Sequence, residues 1–152
     1  MKTTGREMKV WDGACLVHEA FSEKRLVDMK LNHPSAKIIA HPECEENVLF
    51  YADYIGSTSK LLQYVISNPA TEFIVVTEPG IIHQMEKAAP EKIFLPAPPL
   101  DSSCNCSECP YMKLNTMEKL YLCLSSKSPS IELQPELISR ALLPLEKMLA
   151  MS

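Results

Sequence analysis

The stretch Glu72-Phe-Ile-Val-Val-Thr77-Glu-Pro-Gly80-Ile-Ile-His-Gln-Met85 decides the fold. It opens with a continuous apolar run, which reads as a strand buried on both faces. A Pro-Gly turn then leads into a helical pattern over Gly80–Ala88, carrying Ile81, Ile82 and Met85. A strand covered on both sides belongs to a parallel sheet with helices above and below it. Working outward, the same alternation recurs. Lys37–Ala40 (KIIA) and Lys92–Leu95 (KIFL) read as further strands, and Lys9–Trp11 as a weaker first one. Ser22 can cap a helix reaching about Asn32, with Leu26, Val27 and Leu31 on its inner side and Pro34 as its stop. A shorter helix follows Cys44 and ends near Ala52. Ser57 or Thr58 caps another, with Leu61, Leu62, Val65 and Ile66 as its stripe and Asn68-Pro69 as its end. After the Pro-rich loop Pro96–Ser103, Leu114–Leu124 reads as a helix. Glu136–Met151 reads as a last one, with a kink or restart at Pro144. The expected class is therefore α/β: a three-layer αβα domain with a short parallel sheet, plus C-terminal helices.

The 152 residues suffice for one such domain, and the core needs no disulfide staples. The formal net charge of −4 opposes binding to a phosphate backbone, which argues against a nucleic-acid binder. No apolar run approaches the ~20 residues of a membrane span, and the start, MKTTGREMK, lacks the apolar centre of a signal peptide. The expected location is the cytoplasm, or an organelle stroma if the full-length gene carries a transit peptide.

In parallel sheets, ligands lie outside the carboxyl ends of the strands. Here those ends carry Asp12-Gly13-Ala14-Cys15, His41-Pro42-Glu43-Cys44, Gly56-Ser57-Thr58-Ser59 and Thr77-Glu78-Pro79-Gly80. Chemically capable residues thus gather on one rim. His41 can move a proton near neutral pH, and Glu43 can act as a base in a cleft. Both also fit an ordinary capped loop. Gly56-Ser57-Thr58 opens a helix, where free N–H groups and hydroxyls suit an anion or serve as a plain cap. Cys15 precedes a helical pattern with His18 three residues on, which fits either a Cys–His nucleophile or a small buried thiol. His33 is expected at the surface, His83 solvated or packed, and Trp11 in core or rim packing. Cys123, on an apolar face with Leu120 and Leu124, is expected in the core.

Six cysteines in a chain without a signal peptide read as thiols rather than disulfides. Cys104, Cys106 and Cys109 cluster within six positions. Thiolates this close can share a soft metal or an iron–sulfur centre. A self-contained zinc site wants a second pair, which the sequence lacks, and an inert loop remains open.

Taken together, GACLVHE (Gly13–Glu19), AHPECEENV (Ala40–Val48), YIGSTS (Tyr54–Ser59), VTEPGIIHQM (Val76–Met85), CNCSECPYMKLNTMEKL (Cys104–Leu120) and the ending LLPLEKMLAMS resemble the quinolinate synthase (NadA) family, in its C-terminal portion. The family builds three similar αβα domains around one [4Fe–4S] cluster, each domain giving one cysteine. The resemblance implies residues 1–14 as the remnant of a preceding domain, 15–109 as an αβα domain like the family's third, and 110–152 as C-terminal helices. It implies Cys15 and Cys109 as cluster ligands, and not Cys44. It implies His41, Pro42, Glu43 and Thr58 as substrate-binding residues, with His41 and Glu43 as proton-transfer groups. The implied reaction condenses iminoaspartate with dihydroxyacetone phosphate to quinolinate, a step of NAD biosynthesis, with the cluster's open iron as Lewis acid.

The family's first cluster cysteine and its early His, Tyr and Ser residues have no counterpart in this sequence. That implies a fragment, half of a split enzyme or a lineage without the activity. It also implies a partner: the missing N-terminal domain or a second copy. A different class of function is a non-catalytic metal-binding or interaction domain using Cys104, Cys106 and Cys109. A third is a metal-independent thiol enzyme built on Cys15 and His18.

Overall fold

A computed structural model describes Glu7, residues 13–100 and residues 107–151. The expected strand Lys9–Trp11, Trp11 itself and the thiols Cys104 and Cys106 lie outside the described residues. The chain divides into two compact units, one up to Lys113 and one from Leu114.

The first unit is an α/β domain whose sheet holds four parallel strands in the order β2-β1-β3-β4. These are β1 (Lys37–Ala40), β2 (Tyr54–Ile55), β3 (Glu72–Val76) and β4 (Ile93–Pro96). Around them run α1 (Leu16–Glu19), α2 (Glu23–Asn32), α3 (Glu46–Leu49), α4 (Thr58–Ser67) and α5 (Gly80–Ala88). Successive strand residues point to opposite faces, and both faces are apolar here. On one face Ile38, Ala40, Ile74 and Val76 pack with Val17, Leu26 and Val48 from α1, α2 and α3. On the other, Ile39, Phe73, Val75 and Phe94 pack with Leu61, Val65 and Met85 from α4 and α5. The three-layer αβα reading thus holds.

Helix α2 starts where expected: the Ser22 hydroxyl accepts a hydrogen bond from Arg25 N at 3.3 Å. Two stripe positions differ from expectation, because Leu31 and Ile66 are exposed. Each lies five residues beyond a buried leucine, Leu26 or Leu61, which turns it about 140° away around the helix. In α2, Met29 packs on the core instead of Leu31.

Two features of this unit position the site. The chain runs from β1 to β2 on one side and from β3 to β4 on the other. The connections diverge between β1 and β3, the switch point where α/β sheets open a crevice at their carboxyl ends. In addition, the segment after β4 folds back on the turn between α1 and α2. Leu100 N donates to Ala20 O at 2.7 Å, and Arg25 Nη1 donates to Pro99 O at 2.6 Å. Buried Ser107 donates to Ala97 O at 3.4 Å, so the chain returns to the domain just before Cys109.

The second unit holds α6 (Met117–Ser126) and α7 (Pro135–Leu149). Helix α6 starts later than expected, because the Thr116 hydroxyl caps it by accepting from Lys119 N at 3.2 Å. A short 3-10 turn, Met112–Leu114, occupies the expected first residues. Helix α7 runs through Pro144 without a restart. Its missing N–H forfeits one hydrogen bond inside an otherwise continuous helix. Cys123 is not a core residue: it is half-buried, and its neighbours Leu120 and Leu124 are exposed. Periodicity marked the apolar face of α6 but could not say that the unit itself leaves that face uncovered.

Among the described residues, no helix is long and apolar enough to cross a membrane.

Candidate functional site

The site grows from the carboxyl ends of β1 and β3. Beyond β1, His41 N donates to Val76 O at 3.1 Å, which extends the ladder by one bond and fixes His41 at the rim. Thr77 follows β3 directly and is buried. Between these ends lies His18 from α1, also buried. Its Nδ1 is 3.1 Å from Glu43 Oε2, and its Nε2 is 3.0 Å from Thr77 Oγ1. Its ring stacks on that of His41, with centroids 4.3 Å apart and planes 7° from parallel. Glu43 is largely exposed, and His41 Nδ1 lies 4.0 Å from its carboxylate. Burial lowers the His41 pKa below its ordinary 6.5. The neighbouring His18 ring lowers it further, and the Glu43 charge works the other way.

Cys15 precedes α1 at the edge of the first apolar cluster. Its Sγ, a His18 ring nitrogen and a Glu43 carboxylate oxygen all lie within 4.8 Å of one another. Both ring nitrogens of His18 engage Glu43 and Thr77, which leaves the imidazole no free nitrogen with which to activate the thiol. That weighs against the Cys15–His18 nucleophile. Cys15 also borders two hollows. One, of about 500 Å³, is lined with Gly13, Ala14 and Glu43. The other, of about 470 Å³, brings Cys15 together with His18, Thr58, Thr77, Glu78 and Cys109.

The sequence-predicted residues Cys15, Thr58 and Cys109 therefore meet at one cleft, although they come from three distant segments. Glu43 reaches the neighbouring hollow, and His41 joins through its stack on His18. Pro42 is exposed between them. Thr58 is the first residue of α4, whose first helical hydrogen bond runs from Leu61 N to Ser57 O at 2.8 Å. The N–H groups of Thr58, Ser59 and Lys60 thus have no partner inside the helix, as at any helix start. Ser57 holds the cap position without a side-chain cap bond. At the start of α5, Gly80 N donates to Glu78 Oε2 at 2.7 Å, and a Cβ on Gly80 would sit 2.6 Å from that same oxygen. Any larger residue there must push the Glu78 carboxylate aside.

The thiols divide by environment. Cys15 and Cys109 are free and half-buried, and both border the cleft. Two thiols bordering one space are soft donors of the kind that ligate a metal or an iron–sulfur group. Cys44 differs: it is buried, and its Sγ donates to Val76 O at 3.5 Å. Burial pushes its thiol up to about 12. It is packed in the core beside Val76.

The sequence reading did not single out Thr77 as a partner of His18, nor the bond from His18 to Glu43. The one signal available was that Thr77 and His41 both follow strand ends. Their adjacency depends on β1 pairing with β3, which strand order in the sequence does not reveal. His33 pairs with Glu72 through a 2.7 Å contact at the amino end of the sheet, and His83 is exposed.

The family model described as Quinolinate synthetase A protein matches residues 1–150. A quinolinate synthase from Synechococcus sp. is 59% identical over the whole chain, which spans 48% of that protein. One from Microcystis aeruginosa is 58% identical over 98% of the chain and 46% of its own length. One from Chloroherpeton thalassium is 52% identical over the whole chain and 48% of its own length. The chain thus spans about half the length of the curated relatives it matches. It belongs to the quinolinate synthase A family.

Proposed function

We propose that this chain supplies part of a quinolinate synthase active site. That site condenses iminoaspartate with dihydroxyacetone phosphate, with loss of phosphate and water. The observation that carries the reading is the convergence of Cys15, Thr58 and Cys109 on one cleft beside the His18–Glu43 pair. Cys15 and Cys109 would hold a [4Fe–4S] cluster, which when bound supplies Lewis-acid polarisation of substrate oxygens. A cluster needs further ligands beyond these two thiols.

The chain's own residues do the remaining work. The start of α4, with the Thr58 hydroxyl and the free N–H groups, holds a substrate carboxylate. Glu43, on the exposed side of the rim, takes and returns protons during the dehydrations. His41 is held neutral at pH 7 by burial and by His18, so it can accept a hydrogen bond or a proton from substrate. Pro42 and Glu43 are the central residues of a turn closed by Cys44 N donating to His41 O at 3.1 Å, not the extended link expected of Pro42, and the turn brings Glu43 back beside His41.

The test mixes this chain with the portion of the Synechococcus sp. relative that it does not span. The mixture is loaded anaerobically with iron and sulfide and assayed for quinolinate. Product from the mixture, falling at least ~100-fold with Glu43→Gln, is the expected result. Iron bound in full without any quinolinate would overturn the reading and favour a metal-binding domain.

A further inference from the structure

Resting on that reading of the site, we propose that Thr77 is a positioning residue: its hydroxyl anchors His18 so that Nδ1–H aims the Glu43 carboxylate into the crevice. Glu43 is the exposed member of the network, with 58% of its side chain open to solvent. A carboxylate so placed samples many rotamers unless something rigid holds one of its oxygens. His18 is that rigid group, being 7% exposed and pressed flat on His41.

The orientation of His18 needs its own anchor, because an imidazole can turn over and exchange its two nitrogens. Thr77 provides it from the buried side. It is 2% exposed, sits at the end of β3 and places Oγ1 3.0 Å from Nε2. A carboxylate only accepts, so Nδ1 must carry the hydrogen that Glu43 receives. In the neutral ring Nε2 is then an acceptor, and the threonine hydroxyl donates to it. The chain Thr77 O–H to Nε2, then Nδ1–H to Oε2, gives each polar atom one consistent role. It also links β3 to the loop after β1 across the switch point. Thr77 touches no reacting atom in this account; it acts through His18.

Thr77→Val keeps the shape and removes the hydroxyl, while Thr77→Ser keeps the hydroxyl. Nitrogen NMR of the His18 ring in this chain reads the anchor directly. Wild type and Thr77→Ser should show one protonated nitrogen, Nδ1, with a slowly exchanging hydrogen. Thr77→Val should average the two nitrogens between tautomers and lose that slow hydrogen. An unchanged His18 signature in Thr77→Val would overturn the proposal, as would a wild-type ring protonated at Nε2 alone. In a mixture that forms quinolinate, Thr77→Val should lower kcat about 10- to 100-fold and Thr77→Ser should restore it. KM for either substrate should stay within about twofold. An unchanged kcat would equally overturn the proposal. Absence of quinolinate from every mixture would count against the proposed function, and the nitrogen signals would still decide the role of Thr77.

Discussion

The imidazoles of His18 and His41 lie parallel, with 4.3 Å between centroids, and only His18 also bonds to Thr77. Two such rings resist being charged together. With burial as the largest cause, His41 is held below its ordinary 6.5. In the unfolded chain His41 keeps the ordinary value, so it binds a proton first as pH falls. Its contribution to stability is present in full above 6.5 and is lost as pH drops through the folded value. A proton NMR titration should place the His41 midpoint below 6.5. Glu43→Gln, which removes the one charge that raises it, should lower it further. A midpoint above 6.5 would contradict the stack.

Thiol reactivity should follow the environments of the cysteines. At pH 8 in the absence of metal, iodoacetamide should label Cys15 and Cys109, which border the cleft. Cys44 should stay unlabelled while the chain is folded, since burial raises its thiol to about 12. Peptide mass spectrometry reads this directly. Labelling of Cys44 as fast as Cys15 would show that the core around Val76 opens.

A stability effect is expected away from the cleft. Asp53 accepts from Ile38 N at 2.8 Å through Oδ2 and from Lys37 Nζ at 2.8 Å through Oδ1. Burial alone would raise its carboxyl, but the Lys37 and Ile38 bonds outweigh that and hold it below the usual range. Asp53→Ala strands the Ile38 N–H between β1 and β2 and should cost about 1–3 kcal/mol in urea unfolding. Lys37→Ala, which leaves the backbone bond in place, should cost less.

The fold was largely legible because its signals are local. The strand over Lys37–Ala40 and the helix over Gly80–Ala88 fall where apolar runs and turn residues put them. Leu31 and Ile66 were misplaced because a stripe drawn too wide takes in residues about 140° off the buried line. Cys123 was misplaced because an apolar helix face says nothing about what covers it. At the site, Cys15, Thr58 and Cys109 were named by resemblance to a family, and their common cleft comes from three segments distant in sequence. The His18–Glu43–Thr77 chain was not legible at all. It depends on β3 lying beside β1 and on a short helix delivering His18 between their ends.

The central claim is that Cys15 and Cys109 act together as ligands of one iron–sulfur group. The direct measurement is anaerobic loading with iron and sulfide of this chain mixed with the rest of a relative, followed by iron and sulfide analysis and absorbance. The account predicts a cluster in the mixture that is lost in Cys15→Ser and in Cys109→Ser, and kept in Cys44→Ser. A cluster that survives Cys15→Ser, or one that Cys44→Ser abolishes in a folded protein, would contradict it.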